Sequence, residues 1–208
     1  IERGDVSLAT PVLGIKIILV AVATTLILGQ TISPRLWAAA AFSTLAIALL
    51  NWTSGVRHHH VTLTILAAGA SATCFTLFDV LIQKWAPVWG VGRFLPTMLG
   101  FVALFSLGTI TQFPAPLRSL PATAWPWLIG GSVVLGFQSI IFISAVAIFG
   151  QVAAANVVYS SRGLWSVVLV WIIGHWFQSS EQKLGAGVLR WRLIGALLMM
   201  AAIGLVML

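Results

Sequence analysis

Apolar residues run along this chain in blocks, at roughly 8–28, 34–52, 61–82, 89–111, 124–147, 152–174 and 191–208. A helix rising 1.5 Å per residue needs about 20 such residues to cross a bilayer core, so each block predicts a membrane-spanning helix. The intervening stretches hold the residues expected of turns at a membrane surface. They are Gln30 to Pro34, Ser54 to His60, Gln83 to Pro87, Pro114 to Pro126, Gly150-Gln151 and Gln178 to Arg192. Trp37, Trp52, Trp85, Trp89, Trp125, Trp127, Trp176 and Trp191 fall near the predicted helix ends. Tryptophan favours that depth because its ring is amphipathic. The fold class this predicts is an all-α polytopic membrane protein of about seven transmembrane helices.

Composition agrees. The chain is 60% hydrophobic and 7% charged, with a mean hydropathy of +1.05. A soluble domain carries about 25% charged residues to solvate its surface, and the 15 Lys, Arg, Asp and Glu here are too few for that. The net charge of +7 would elsewhere suggest nucleic acid. These cations sit singly in loops and mid-helix, so no nucleic-acid partner is expected. Anionic lipid headgroups or an anionic small-molecule substrate suit them better. The single cysteine, Cys74, excludes an internal disulfide framework and a thiolate metal cluster.

Small residues recur at four-residue spacing, as in Ala40, Thr44 and Ala48 and again in Ala68, Ala72 and Thr76. Such stripes let helix backbones approach closely in lipid, where no hydrophobic effect draws them together; any single stripe is equally well explained by composition. Gly130, Gly131, Gly136, Pro11 and Pro96 are places where helices can loosen. The chain opens on Ile1 with no signal peptide ahead of the first span, and is expected to begin inside a longer protein.

An internal repeat supports that expectation. Residues 10–50 run as an apolar helix with a mid-helix cation, a Gly-polar stop (Gly29-Gln30), a loop, a Trp and a second apolar helix. Residues 155–208 repeat the scheme with Arg162, the stop Gly174-His175, a longer loop, Trp191 and a last helix.

The segment Pro11-Val12-Leu13-Gly14-Ile15-Lys16 through Leu28-Gly29-Gln30, followed by Ile32-Ser33-Pro34-Arg35-Leu36-Trp37, resembles the end of the first EamA repeat of the drug/metabolite transporter superfamily. The tail from Arg192-Leu193-Ile194-Gly195 through Ile203-Gly204-Leu205-Val206 resembles the end of the second. The resemblance implies a ten-helix fold of two inverted five-helix repeats lacking its first three helices. Residues 1–53 would be the last two helices of the first repeat, and 61–208 the five of the second. It also implies secondary transport of a small metabolite, with multi-pass placement in a bacterial inner (plasma) membrane. One departure is plain: the family often ends its fourth and ninth helices with Gly-Glu, where this chain has Gly29-Gln30 and Gly174-His175. Proton coupling through that position is therefore in doubt.

Candidate chemistry rests on ionisable residues inside the spans. Charge in hydrocarbon costs from about 2.5 kcal/mol upward, so such groups normally face a cavity or a partner. Lys16 and Arg162 lie 13 and 12 residues before their Gly stops, at matching places in the two repeats. Converging from related helices, they would suit a carboxylate or phosphate, with Arg gripping it bidentately and Lys acting as a point charge. Otherwise each snorkels or pairs internally. The arrangement is similar to that of the sugar-phosphate carriers of the same superfamily.

Asn156, Tyr159 and Ser160 surround Arg162 with polarity unusual for a span, and either bind substrate or join helices. Gln138 is a further lining candidate at mid-span. Asp79, placed three or four residues from a helix end near Lys84, is expected in an interfacial ion pair, with Arg93 as another partner.

His58, His59 and His60 are consecutive, follow Arg57 in a loop and lack the spacing of a metal-binding helix. No metal site, cofactor or catalytic constellation is expected, and an enzyme is not the reading. A homodimer is compatible with the pattern. Two function classes remain: a carrier of a small anionic or zwitterionic solute, and a non-transporting scaffold or inactive fragment of such a carrier. Sidedness stays open. The family pattern places the loops near Arg35 and Lys84 in the cytoplasm, whereas Arg3, Arg57, Arg118, Lys183, Arg190 and Arg192 make the opposite set more positive.

Overall fold

The computed structural model describes residues 12–50, 61–112, 119–173 and 186–208, and among them every regular element is helical. In lipid no water is at hand for backbone N–H and C=O groups, and a helix satisfies them within its own segment. The elements are α1 (Lys16–Leu28, preceded by one turn from Val12), α2 (Pro34–Leu50), α3 (Val61–Trp89) and α4 (Val91–Leu107, continued as a 3₁₀ turn to Gln112). Then come α5 (Trp125–Phe149), α6 (Val152–Ser160), α7 (Arg162–Ile173) and α8 (Ala186–Met207).

Among the described residues, four stretches are long and apolar enough to cross a membrane: Val61–Trp89, Val91–Gln112, Ala122–Phe149 and Arg190–Met207. The apolar helices Val12–Leu28 and Pro34–Leu50 are shorter. The single span expected over 152–174 is divided at Ser161 into pieces of 9 and 12 residues.

Glycines set the ends of α1 and α5. Gly29 (φ 65°) and Gly150 (φ 60°) take the left-handed conformation that closes a helix without steric cost. The Gly-polar stop read at Gly29-Gln30 is therefore a real terminator. The turn expected from Gln83 to Pro87 is not there, because α3 continues to Trp89. Pro87 stands within the last turn, where its missing N–H removes only one bond. The chain turns instead at Gly90 (φ 78°). Likewise the later part of the loop expected up to Arg192 is helical from Ala186.

The described residues form two compact units. The first takes helices from both expected repeats: α1, α2, α3 as far as Leu81, and α6 to α8. Repeat order along the chain and compactness in space are thus different divisions. Within it α2 runs antiparallel along α8, with Arg35 Nη1 donating 3.2 Å to the Leu208 carbonyl at one end and Gly195 against Ala46 and Leu50 at the other. α1 and α6 pack beside them. Ile17, Ala39, Ala40, Val157 and Ala202 form one buried cluster, and Ala46, Leu50 and Met199 a second.

The approach is close because the residues are small. A Cβ at Gly195 would lie 3.0 Å from the Ala46 carbonyl oxygen and 3.0 Å from the Leu50 nitrogen. One at Gly14 would lie 2.9 Å from Ile47 Cγ2.

In the second unit α4 packs on α5. Phe101, Phe105, Phe137 and Ile141 project outward, and α4 buries no residue. Leaving such side chains in water would forgo about 1.5–3 kcal/mol each. In lipid that penalty vanishes, which makes this an all-α membrane protein.

Candidate functional site: a buried ion pair among apolar helices

The site begins with the buried stripe of α3. Thr64, Ala68, Ala72, Thr76, Asp79 and Val80 recur every three or four residues and are enclosed. Asp79 lies ten residues before the end of α3 at Trp89, about 15 Å along the axis at helical rise. The expectation that Asp79 stands three or four residues from its helix end is thereby corrected. It followed from ending the helix where Gln83 to Pro87 looked like a turn. Nor is the partner Lys84 or Arg93. Lys16 Nζ stands 2.7 Å from Asp79 Oδ2, with the Asp79 side chain 4% exposed and that of Lys16 19%.

Further contacts surround the pair. Asn156 Nδ2 donates to Asp79 Oδ2 at 2.9 Å and to the Val152 carbonyl at 3.0 Å. Phe75, one turn before Asp79 on α3, presents its ring 5.6 Å from Lys16 Nζ, within cation–π range. α1, α3 and α6 therefore each contribute one polar side chain to a single buried point. Thr76 adds a hydroxyl nearby in sequence whose Oγ1 is enclosed without a hydrogen-bond partner.

The other sequence candidates are placed as follows. Arg162 is exposed at the first position of α7, where Nη1 donates 2.7 Å to Tyr159 Oη and the guanidinium carbon lies 4.6 Å from the Tyr159 ring centre. Ser160 is buried, its hydroxyl donating to the Val157 carbonyl and lying 3.2 Å from Met199 Sδ. Gln138 belongs to α5 in the second unit and is partly exposed. Pro11, His58 to His60, Gly174 and His175 fall outside the described residues. An open hollow of about 740 Å³ in the second unit, lined by Val88, Trp89, Gly92, Arg93, Pro96 and Thr97, holds no acidic residue.

Lys16 and Arg162 share a feature of the backbone. The Ile15 N–H bonds the Val12 carbonyl at 3.1 Å, a three-residue step, and Leu19 then bonds Ile15 at 3.0 Å. The Ser161 N–H bonds the Val158 carbonyl at 3.0 Å, again over three residues, and Trp165 then bonds Ser161 at 3.1 Å. Each helix tightens for one turn and resumes, and in each the cation is the first residue after the break. At the first break the Thr44 hydroxyl of α2 lies 3.2 Å from the Gly14 carbonyl, the kind of side-chain support that lets an irregular turn persist in lipid.

No protein-family model matches this chain, and no curated protein is similar to it. The site must therefore be read from its own chemistry.

Sequence reasoning ranked Lys16 and Asn156 as candidates, assigned Asp79 to an interfacial ion pair with other partners, and did not name Phe75. One signal was present. The four acidic residues are Glu2, Asp5, Asp79 and Glu181, and Asp79 alone lies inside an apolar block. A cation inside a spanning helix normally has a partner, and Asp79 is the acid that the apolar blocks hold.

Proposed function

We propose that this chain is a secondary transporter, of the drug/metabolite transporter type, moving a small anionic or zwitterionic organic solute across a bacterial inner membrane. The observation that carries the reading is the Lys16–Asp79–Asn156 cluster. Charges inside spanning helices are expensive, and they normally mark a solute or proton path. The matched helix breaks before Lys16 and Arg162 support it, since interrupted helices at corresponding places are how inverted-repeat carriers build a midplane site. Lys16 would meet the anionic group of the solute, with Asn156 and Tyr159 as hydrogen-bond partners and Arg162 at the entrance.

Solute counterflow into proteoliposomes tests this, using labelled monocarboxylates, sugar phosphates and amino acids on wild type, Lys16→Met and Arg162→Ala. Losing a charged contact worth about 1.5–3 kcal/mol lowers transport by at least about tenfold in Lys16→Met. Unchanged flux in Arg162→Ala would remove Arg162 from the mechanism. A second reading has its own observation: Lys16 is already neutralised by Asp79, as in a scaffold whose charges serve only packing. No flux of any class, in a protein whose folding depends on the pair, would favour the scaffold.

A further inference from the structure

We propose that the hollow at the turn between α3 and α4 binds the headgroup of an anionic phospholipid, with Arg93 holding the phosphate. α3 and α4 are each long and apolar enough to cross the membrane, so the turn at Gly90 lies at a bilayer surface. Trp85 and Trp89 are exposed beside it, at the depth where lipid headgroups meet the acyl chains.

Charge at this place is unbalanced. Residues 82–150 contain Lys84, Arg93 and Arg118 and no acidic residue. Asp79 is the acid among the described residues, and Lys16 and Asn156 already occupy it. The Arg93 guanidinium has no hydrogen-bond or ion-pair partner among the described residues. Its backbone alone is engaged, the N–H donating to the Gly90 carbonyl and the carbonyl accepting from Thr97. Its counter-charge must come from outside the chain. The planar fork of a guanidinium matches two oxygens of a phosphodiester.

Shape and hydrogen bonding narrow the ligand. The hollow, about 740 Å³, is walled by Gly92, Arg93, Pro96 and Thr97 of α4 and by Val88 and Trp89 at the end of α3. A Cβ at Gly92 would meet nothing within 4 Å, which leaves that wall open. Thr97 Oγ1 donates 2.8 Å to the Arg93 carbonyl, so its oxygen is left as an acceptor. Pro96 has no N–H for the Gly92 carbonyl four residues before it, which provides a second acceptor. One cation and two acceptors suit a phosphate followed by a hydroxylated headgroup, as in phosphatidylglycerol. The ammonium of phosphatidylethanolamine would instead stand beside Arg93 as a like charge. Val88, Pro96 and the Trp89 ring offer apolar surface for the first part of an acyl chain.

The full chain, delipidated in a neutral detergent, is titrated with phosphatidylglycerol, phosphatidylethanolamine and, in a separate arm, glycerol phosphate. Native mass spectrometry counts the bound molecules, and circular dichroism checks that each variant keeps its helices. Wild type should bind one phosphatidylglycerol at least about tenfold more tightly than phosphatidylethanolamine, and Arg93→Gln should lose that preference, as expected for one charged hydrogen-bonded contact. Gly92→Leu, which fills the hollow from an open helical position and leaves Arg93 in place, should lose it too. Lys84→Gln removes an exposed cation that does not line the hollow and should weaken binding by no more than about fivefold, the general effect of one cation near anionic lipid.

Equal affinity of wild type for the two lipids overturns the proposal. So does unchanged binding in Gly92→Leu, or a loss in Lys84→Gln as large as that in Arg93→Gln. Glycerol phosphate binding as tightly as the lipid would make this a solute site and overturn it as well. The hollow lies apart from the Lys16–Asp79–Asn156 cluster in sequence and needs no transported solute, so failure here leaves the carrier reading to its own flux assay.

Discussion

Removing both partners of the Lys16–Asp79 pair should cost less than the sum of removing each alone. At 2.7 Å the two charges attract by about 6 kcal/mol at an effective dielectric constant of about 20. Most of that is offset by the desolvation both groups suffer on burial, so the pair's net worth is far smaller than its Coulomb energy. What remains after a single substitution is a buried group without its counter-charge, and such losses run to about 3–5 kcal/mol. Two features lower the figure here. Lys16 is partly exposed and can bring its ammonium toward water, and a lone carboxylate can shed its charge by taking a proton.

Lys16→Met and Asp79→Asn should therefore each destabilise by about 2–4 kcal/mol. The double variant should lose less than their sum by about 3 kcal/mol, because Met and Asn leave no buried charge. Reversible unfolding in a mixed micelle, titrated with denaturing detergent, measures all four corners of the cycle. Strict additivity would refute the reasoning, since it would mean that the two groups do not interact in the folded protein.

Two further predictions concern packing and hydrogen bonding. Gly204→Ala, with nothing within 4 Å of the added methyl group, should raise stability by up to about 1 kcal/mol through helix propensity. The same change at Gly195 on the same helix should lower it by about 1–3 kcal/mol, because the new Cβ meets α2 backbone that cannot move aside. Thermal melts of the two variants check the opposite signs. Asn156→Leu should cost about 1–3 kcal/mol by withdrawing a donor from buried Asp79, and a melt compared with that of Asn156→Leu in the Asp79→Asn background shows whether the loss depends on the carboxylate.

The helical membrane class was written in the sequence, because block length and apolarity follow from the bilayer's thickness and its lack of water. So was the end of α1, since Gly29 is locally suited to the left-handed turn that closes a helix. The matched positions of Lys16 and Arg162 were also legible, as spacing from a glycine. The end of α3 was not. Pro87 looked like a breaker, but a proline in a last turn removes one bond, and the reversal went to Gly90. That single displacement moved Asp79 from an expected helix end to a buried position.

Tertiary structure alone decided who pairs with whom. Lys16 and Asp79 are 63 residues apart and Asn156 is 77 beyond Asp79, so no periodicity along one helix relates them. Their meeting depends on which faces of α1, α3 and α6 are turned toward one another. The sequence by itself determined that a charge in these spans calls for a cavity or a counter-charge, and that one of the four acids, Asp79, lies within an apolar block. Which helix face would bring it within 2.7 Å is a property of packing.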